Sequence, residues 1–158
     1  MVPWLGLASV VLVVDQLSKA FVITQLAYQE RVQVLPFFAW VRWHNEGAAF
    51  SFLADAGGWQ QIFFVALALV FSGYILYEIW RMPRSEAAMG WVYALILGGA
   101  LGNLLDRLQY GHVVDFVLLH YQAYYFPAFN VADSALFMGA VIWIALMVRD
   151  HRRQRAAT

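Results

Sequence analysis

"ALILGGALGNLLDR", residues 94–107, decides how the rest of the chain is read. Ala94, Gly98 and Gly102 recur four apart, so on a helix they form one strip of small side chains where a neighbouring backbone approaches closely. Asn103 and Arg107, also four apart, extend a polar face at one end of the run. A helix needs about 20 mostly apolar residues to cross a bilayer core of roughly 30 Å. The window around this stretch, 88–106, meets that length, and so do 4–26, 59–80 and 131–149.

Composition agrees with a lipid solvent. The chain is 63% hydrophobic and 13% charged, against about 45–50% and about 25% for a soluble domain. Its zero formal net charge gives nucleic-acid binding no electrostatic support. The absence of cysteine excludes disulfides, thiol catalysis and cysteine-ligated metal. With no internal repeat, low-complexity tract or long linker, residues 1–158 read as a single integral membrane domain. The first span does not read as a cleavable signal peptide: it lacks a basic leader, holds Asp15, Gln16 and Lys19, and ends without a small-x-small exit.

Arginine placement gives the expected orientation. Arg81 and Arg84 lie between spans two and three, and Arg149, Arg152, Arg153 and Arg155 follow span four. Basic residues favour the cytoplasmic side, so both termini are expected there, with 27–58 and 107–130 facing outward. Within 27–58, "RVQVL" and "FFAWVRWHNEGAAF" partly alternate and are rich in Val, Phe and Trp, Pro36 breaks the pattern, and Asn45-Glu46-Gly47 reads as a turn. The expected fold is therefore an all-α membrane protein of four transmembrane helices, with a small extracytoplasmic β element between helices one and two.

An Asp at the centre of a membrane helix costs roughly 2.5–3.5 kcal/mol on insertion scales, so each acidic position needs a reason. Asp15 and Lys19, the chain's one lysine, sit four apart and share a helix face, which reads as mutual neutralisation toward the bundle interior. A Ser–Lys dyad is the alternative. Ser18 diverges from its neighbour Lys19 by about 100° and cannot serve, leaving Ser51 or Ser134. Spacing alone leaves Asn103 and Arg107 open between a packing seam with a snorkelling arginine and substrate binding. His44, His112, His120 and His151 form no H-E-x-x-H and no pair four apart, so no metal is expected.

Two further aspartates interrupt apolar runs: Asp115 in "GHVVDFVLLH" (111–120) and Asp133 in "FNVADSALFMGA" (129–140). The four-span topology puts both near the outer membrane boundary. Two carboxylates in a partly dry site cannot comfortably both ionise, so the pair holds one proton, a state suited to peptide hydrolysis. Separate capping or pairing, Asp115 with Arg107 for instance, is equally open on the residues alone. A membrane assembly factor without enzymatic activity, or a proton-relay protein, would carry similar polar positions.

The blocks "DQLSK" (15–19), "NEGAAFSFL" (45–53), "GGALGNLLDR" (98–107), "GHVVDF" (111–116) and "FNVADS" (129–134) occur in the order found in the signal peptidase II family, which the chain resembles over nearly its whole length. The resemblance implies an aspartic peptidase of the bacterial cytoplasmic membrane. Such an enzyme cleaves diacylglyceryl-modified prolipoprotein on the amino side of the lipidated cysteine, without a cofactor, and is a target of the cyclic peptide globomycin. By block, it implies Asp115 and Asp133 as the catalytic pair. Asn45, Gly47, Asn103, Arg107 and Asn130 are implied as residues lining or supporting the site, and Asp15 with Lys19 as a structural polar pair. Glu46 stands at a variable position. Position on a helix N-terminus favours an ionised Asp133, and apolar neighbours Val113, Val114, Phe116 and Val117 favour a protonated Asp115.

Overall fold

A computed structural model describes residues 1–47, 59–83 and 86–156. Its elements are helix α1 (Val2–Gln25), strands β1 (Arg31–Leu35) and β2 (Phe38–Asn45), helices α2 (Trp59–Arg81) and α3 (Ala87–Tyr110), strands β3 (Val113–Tyr121) and β4 (Tyr124–Tyr125), and helix α4 (Val131–Ala156). All four helices are long and apolar enough to cross a membrane. Residues 48–53 of the second sequence block, Ser51 among them, and Arg84 lie outside the described residues.

The helices obey local chemistry at their ends. Pro3 occupies the first turn of α1, where its missing N–H costs nothing. α3 stops at Gly111, which adopts φ 78 and returns its N–H to the Arg107 carbonyl; a left-handed residue there favours glycine. The helix α4 opens with a reciprocal capping box. The Asp133 N–H donates to Asn130 Oδ1 at 2.8 Å, and the Asn130 N–H donates to Asp133 Oδ2 at 3.3 Å.

α3 is the central helix and packs against each of the other three. Its glycines explain how. A Cβ at Gly98 would meet the Ala8 carbonyl and Val11 Cβ, both at 2.7 Å; one at Gly99 would lie 2.5 Å from the Ala132 carbonyl; one at Gly102 would lie 2.6 Å from Asp15 Oδ2. The small-residue strip thus brings α1 and α4 against α3. Both α2 and α4 are buried over only 17% of their apolar windows, and Ile62 and Val70 lie on the exposed surface of α2.

The sheet is antiparallel in the order β1-β2-β3-β4. The segment between α1 and α2 supplies β1 and β2 as expected, with Pro36 in the turn between them. The structure extends this β element: residues 113–125 add two more strands. "VVDFVLLHY" shows no alternation because its first four residues are all buried, so the period-two signal of a half-exposed strand is missing.

Candidate active site

Asp115 and Asp133 reach one polar cluster from different elements, β3 and the first turn of α4. Asn130 lies between them, fully buried. Its Nδ2 donates to Asp115 Oδ1 at 2.7 Å, while its Oδ1 accepts the Asp133 N–H. The capping box therefore fixes both the Asp133 side chain and the direction of the Asn130 amide. The Asn-x-x-Asp spacing of "NVAD" is the signal of this box in the sequence, where hydropathy marks only the start of a span.

Each carboxylate has a second amide oriented from behind. On one side, Lys19 Nζ donates to Asn103 Oδ1 at 3.0 Å, and Asn103 Nδ2 donates to Asp133 Oδ1 at 2.7 Å. Because an ammonium offers only donors, it forces the Asn103 oxygen toward itself and the NH2 toward Asp133. On the other side, the Gly47 N–H donates to Asn45 Oδ1 at 3.1 Å, and Asn45 Nδ2 donates to Asp115 Oδ2 at 3.1 Å. Arg107 Nη2 in turn donates to the Gly47 carbonyl at 2.8 Å, and its guanidinium lies 5.1 Å from the centre of the Phe64 ring. Arg107 thus holds the end of β2. No Asp115–Arg107 ion pair occurs among the described residues, so the separate-pairing alternative for Asp115 is not what the structure contains.

Burial pushes the Asp115 carboxyl up to about 7; the neighbouring Asp133 charge adds to this, and the Asn45 and Asn130 amides oppose it. A carboxyl so placed is half protonated near neutrality.

The Asp15–Lys19 pair is present at 2.8 Å, but a third member, Asp106, completes it at 2.9 Å from Lys19. Sequence reasoning does not single out Asp106; its three-residue spacing from Asn103 is the signal that it shares the inward face. Both acids also satisfy backbone donors of other elements: Asp15 accepts the Ala132 N–H of α4 at 2.8 Å, and Asp106 accepts the Val114 N–H at 3.0 Å. Gln16 Nε2 adds a bond to Asp106 at 2.8 Å. These acids therefore tie α1, α3, α4 and the start of β3 together beneath the cluster. Lys19 binds Asp15, Asp106 and Asn103; Ser18 Oγ and Ser134 Oγ donate instead to the carbonyls of Asp15 and Asn130. A Ser–Lys dyad through either serine does not form.

The histidines are elsewhere. The His44 and His112 rings stack at 3.6 Å, with Tyr28 stacked on His44 at 4.1 Å. His120 sits near Arg31 and Gln33. Among the described residues no group of three His, Cys, Asp or Glu converges on a metal-sized space.

Relatives of the chain agree with this architecture. It is 46% identical over 155 residues to the lipoprotein signal peptidase of Acinetobacter baylyi, covering 97% of this chain and 87% of that one. It is 47% identical over 157 residues to that of Pseudomonas aeruginosa, covering 98% and 93%. A solved bacterial membrane enzyme superposes with TM-score 0.86 at 29% identity, over 96% of this chain and 90% of the other. These relatives disfavour the assembly-factor and proton-relay alternatives. With residues 7–149 matching the family described as signal peptidase (SPase) II, the chain belongs to the signal peptidase II family.

Proposed function

We propose that the protein is a membrane aspartic endopeptidase that cleaves diacylglyceryl-modified prolipoproteins on the amino side of the lipidated cysteine, with Asp115 and Asp133 as its catalytic residues. The observation that carries this reading is the buried Asn130 amide, bonded at once to the Asp115 carboxylate and the Asp133 backbone. Such an arrangement ties both acids to one asparagine without neutralising either by an ion pair.

In this mechanism Asp133 is the general base. Its oxygens face the Asn103 NH2 and the Asn130 N–H at the head of α4, donors that favour a carboxylate. It removes a proton from a water, whose oxygen attacks the carbonyl carbon before the lipidated cysteine. Asp115, protonated among Val113, Val114 and Phe116, donates a hydrogen bond to the oxyanion. Collapse of the tetrahedral intermediate breaks the C–N bond, and the leaving amine takes a proton from the pair. No covalent intermediate or cofactor is required. Asn45, Gly47, Asn103, Arg107 and Asn130 hold the acids in place, and Asp15 with Lys19 holds the helices beneath them.

Both termini lie in the cytoplasm and the site faces the outer side of the membrane, in keeping with Arg81 and the arginines of the α4 end. Chemistry belongs at that boundary because the substrate's lipid does not leave the bilayer. On this reading the cyclic peptide globomycin is an inhibitor of the enzyme.

The test is cleavage of a diacylated precursor by purified Asp115→Asn and Asp133→Asn variants. Both should lose turnover while retaining the fold and globomycin binding. Normal cleavage by either variant would remove the catalytic pair from the account.

A further inference from the structure

From Phe116 to Asn130 the chain contains no Asp, Glu, Lys or Arg, and six of these fifteen residues are Phe or Tyr. Tyr121, Tyr124, Tyr125 and Phe126 at the far end of the β3–β4 hairpin are each more than half exposed, as is Phe37 in the adjoining β1–β2 turn. An exposed apolar patch of this kind marks an interaction surface.

The path of β3 decides what it meets. The Val114 N–H bonds to Asp106 on α3, and Asp115 bonds to Asn130 at the head of α4. Phe116 then packs with Val22 and Leu26 at the end of α1. Val117 pairs across the sheet with Trp40, whose ring meets Phe21 edge-on at 5.9 Å. Phe21 is itself half exposed on the apolar surface of α1. The strand thus crosses the end of the bundle from α3 past α4 to α1, and leaves it beside a surface that faces lipid. At about 3.3 Å per residue, Tyr121 lies roughly 13 Å beyond Val117.

Arg31 supplies the polar half of this surface. Its guanidinium lies 5.2 Å from the centre of the Tyr125 ring and bonds Gln33 Oε1 at 2.8 Å. No carboxylate pairs with it among the described residues. An exposed arginine beside Tyr125, on a surface that also presents Tyr121 and Tyr124, matches a phospholipid, with its phosphate beside its glycerol and upper acyl carbons; tyrosine is enriched at that depth.

We propose that the aromatic tip of the sheet (Phe37, Tyr121, Tyr124, Tyr125 and Phe126) is seated in the headgroup layer beside α1, with Arg31 on a lipid phosphate. It forms a membrane contact separate from the four spans, and it anchors the outer end of the strand that carries Asp115.

The absence of native cysteine makes the test direct. Nitroxide labels are placed through Tyr124→Cys and Phe126→Cys in the full chain, in nanodiscs containing phosphatidylglycerol. Phe137→Cys on the exposed face of α4 serves as the in-bilayer reference, and Arg153→Cys as the aqueous one. Collision with oxygen and with a water-soluble nickel chelate gives depth. Labels at 124 and 126 should meet nickel severalfold less than the label at 153, yet meet oxygen readily. Nickel access equal to that at 153 would put the tip in water and overturn the proposal. Low access to both reagents would mean that protein, such as a second copy, covers it, and would overturn it equally. Adding Arg31→Gln should raise nickel access at 124; no change would rule out the phosphate contact. None of these positions belongs to the catalytic cluster, so precursor cleavage by the labelled variants reports on the site independently.

Discussion

Replacing Asp115 by Asn should make the protein more stable while abolishing cleavage. Asp115 is 3% exposed, and burial with the Asp133 charge lifts its carboxyl from the ordinary 3.8 to about 7. Holding a carboxyl that far above its usual range costs the ionised form on the order of 4 kcal/mol in the fold. The sign follows from proton binding. Between about 4 and 7 the folded protein holds a proton that the unfolded chain has released, so stability falls as pH rises through that window and the penalty is complete above 7. Asparagine copies the shape of the neutral acid and never ionises. It does place an NH2 against one of the two amide donors from Asn45 and Asn130, losing a hydrogen bond worth about 1 kcal/mol. The net expectation at about pH 8 is a gain of about 2–3 kcal/mol, or roughly 5–10 °C in Tm for a chain of this size. Near pH 4 the gain should vanish or turn into a small loss. Thermal unfolding in detergent, followed by circular dichroism at several pH values, reads this directly. A variant less stable than its parent at pH 8, with an unchanged pH slope, would refute the reasoning: Asp115 would then be a structural carboxylate.

Lys19→Met should act with the opposite sign, because it strands Asp15 and Asp106 in the interior; breaking a buried pair this way costs about 3–5 kcal/mol, and the same unfolding measurement should find it. Steady-state cleavage should decline as pH rises through about 7, as Asp115 loses the proton it donates; the titration belongs to the coupled pair, so both carboxylates contribute to the limb that is measured. Gly99→Ala sets a methyl group 2.5 Å from the Ala132 carbonyl and 2.9 Å from Leu136 Cγ. Overpacking there should cost about 1–3 kcal/mol and displace the first turn of α4, so precursor cleavage should fall further than helix content does.

Much of this molecule is local and therefore legible along the chain. Four long apolar windows must become helices in lipid, since no other segment satisfies its own backbone there. The recurrence of Ala94, Gly98 and Gly102 marks the strip on α3, and the four-residue spacing of Asp15 and Lys19 joins them on one turn. Strands β1 and β2 announce themselves by alternation around Pro36. β3 does not, because its first half is buried on both faces, and burial on a second face depends on which elements the fold stacks against it.

The chain's order of residues thus settles the helices, the glycine contacts and the identity of each acid. Tertiary structure alone decides that Asp106 joins Lys19, that Arg107 grips Gly47 rather than Asp115, and that the Asn130 amide reaches Asp115. Those are contacts between groups far apart in sequence, whose short-range forces act only after α1, α3, α4 and β3 have been brought together.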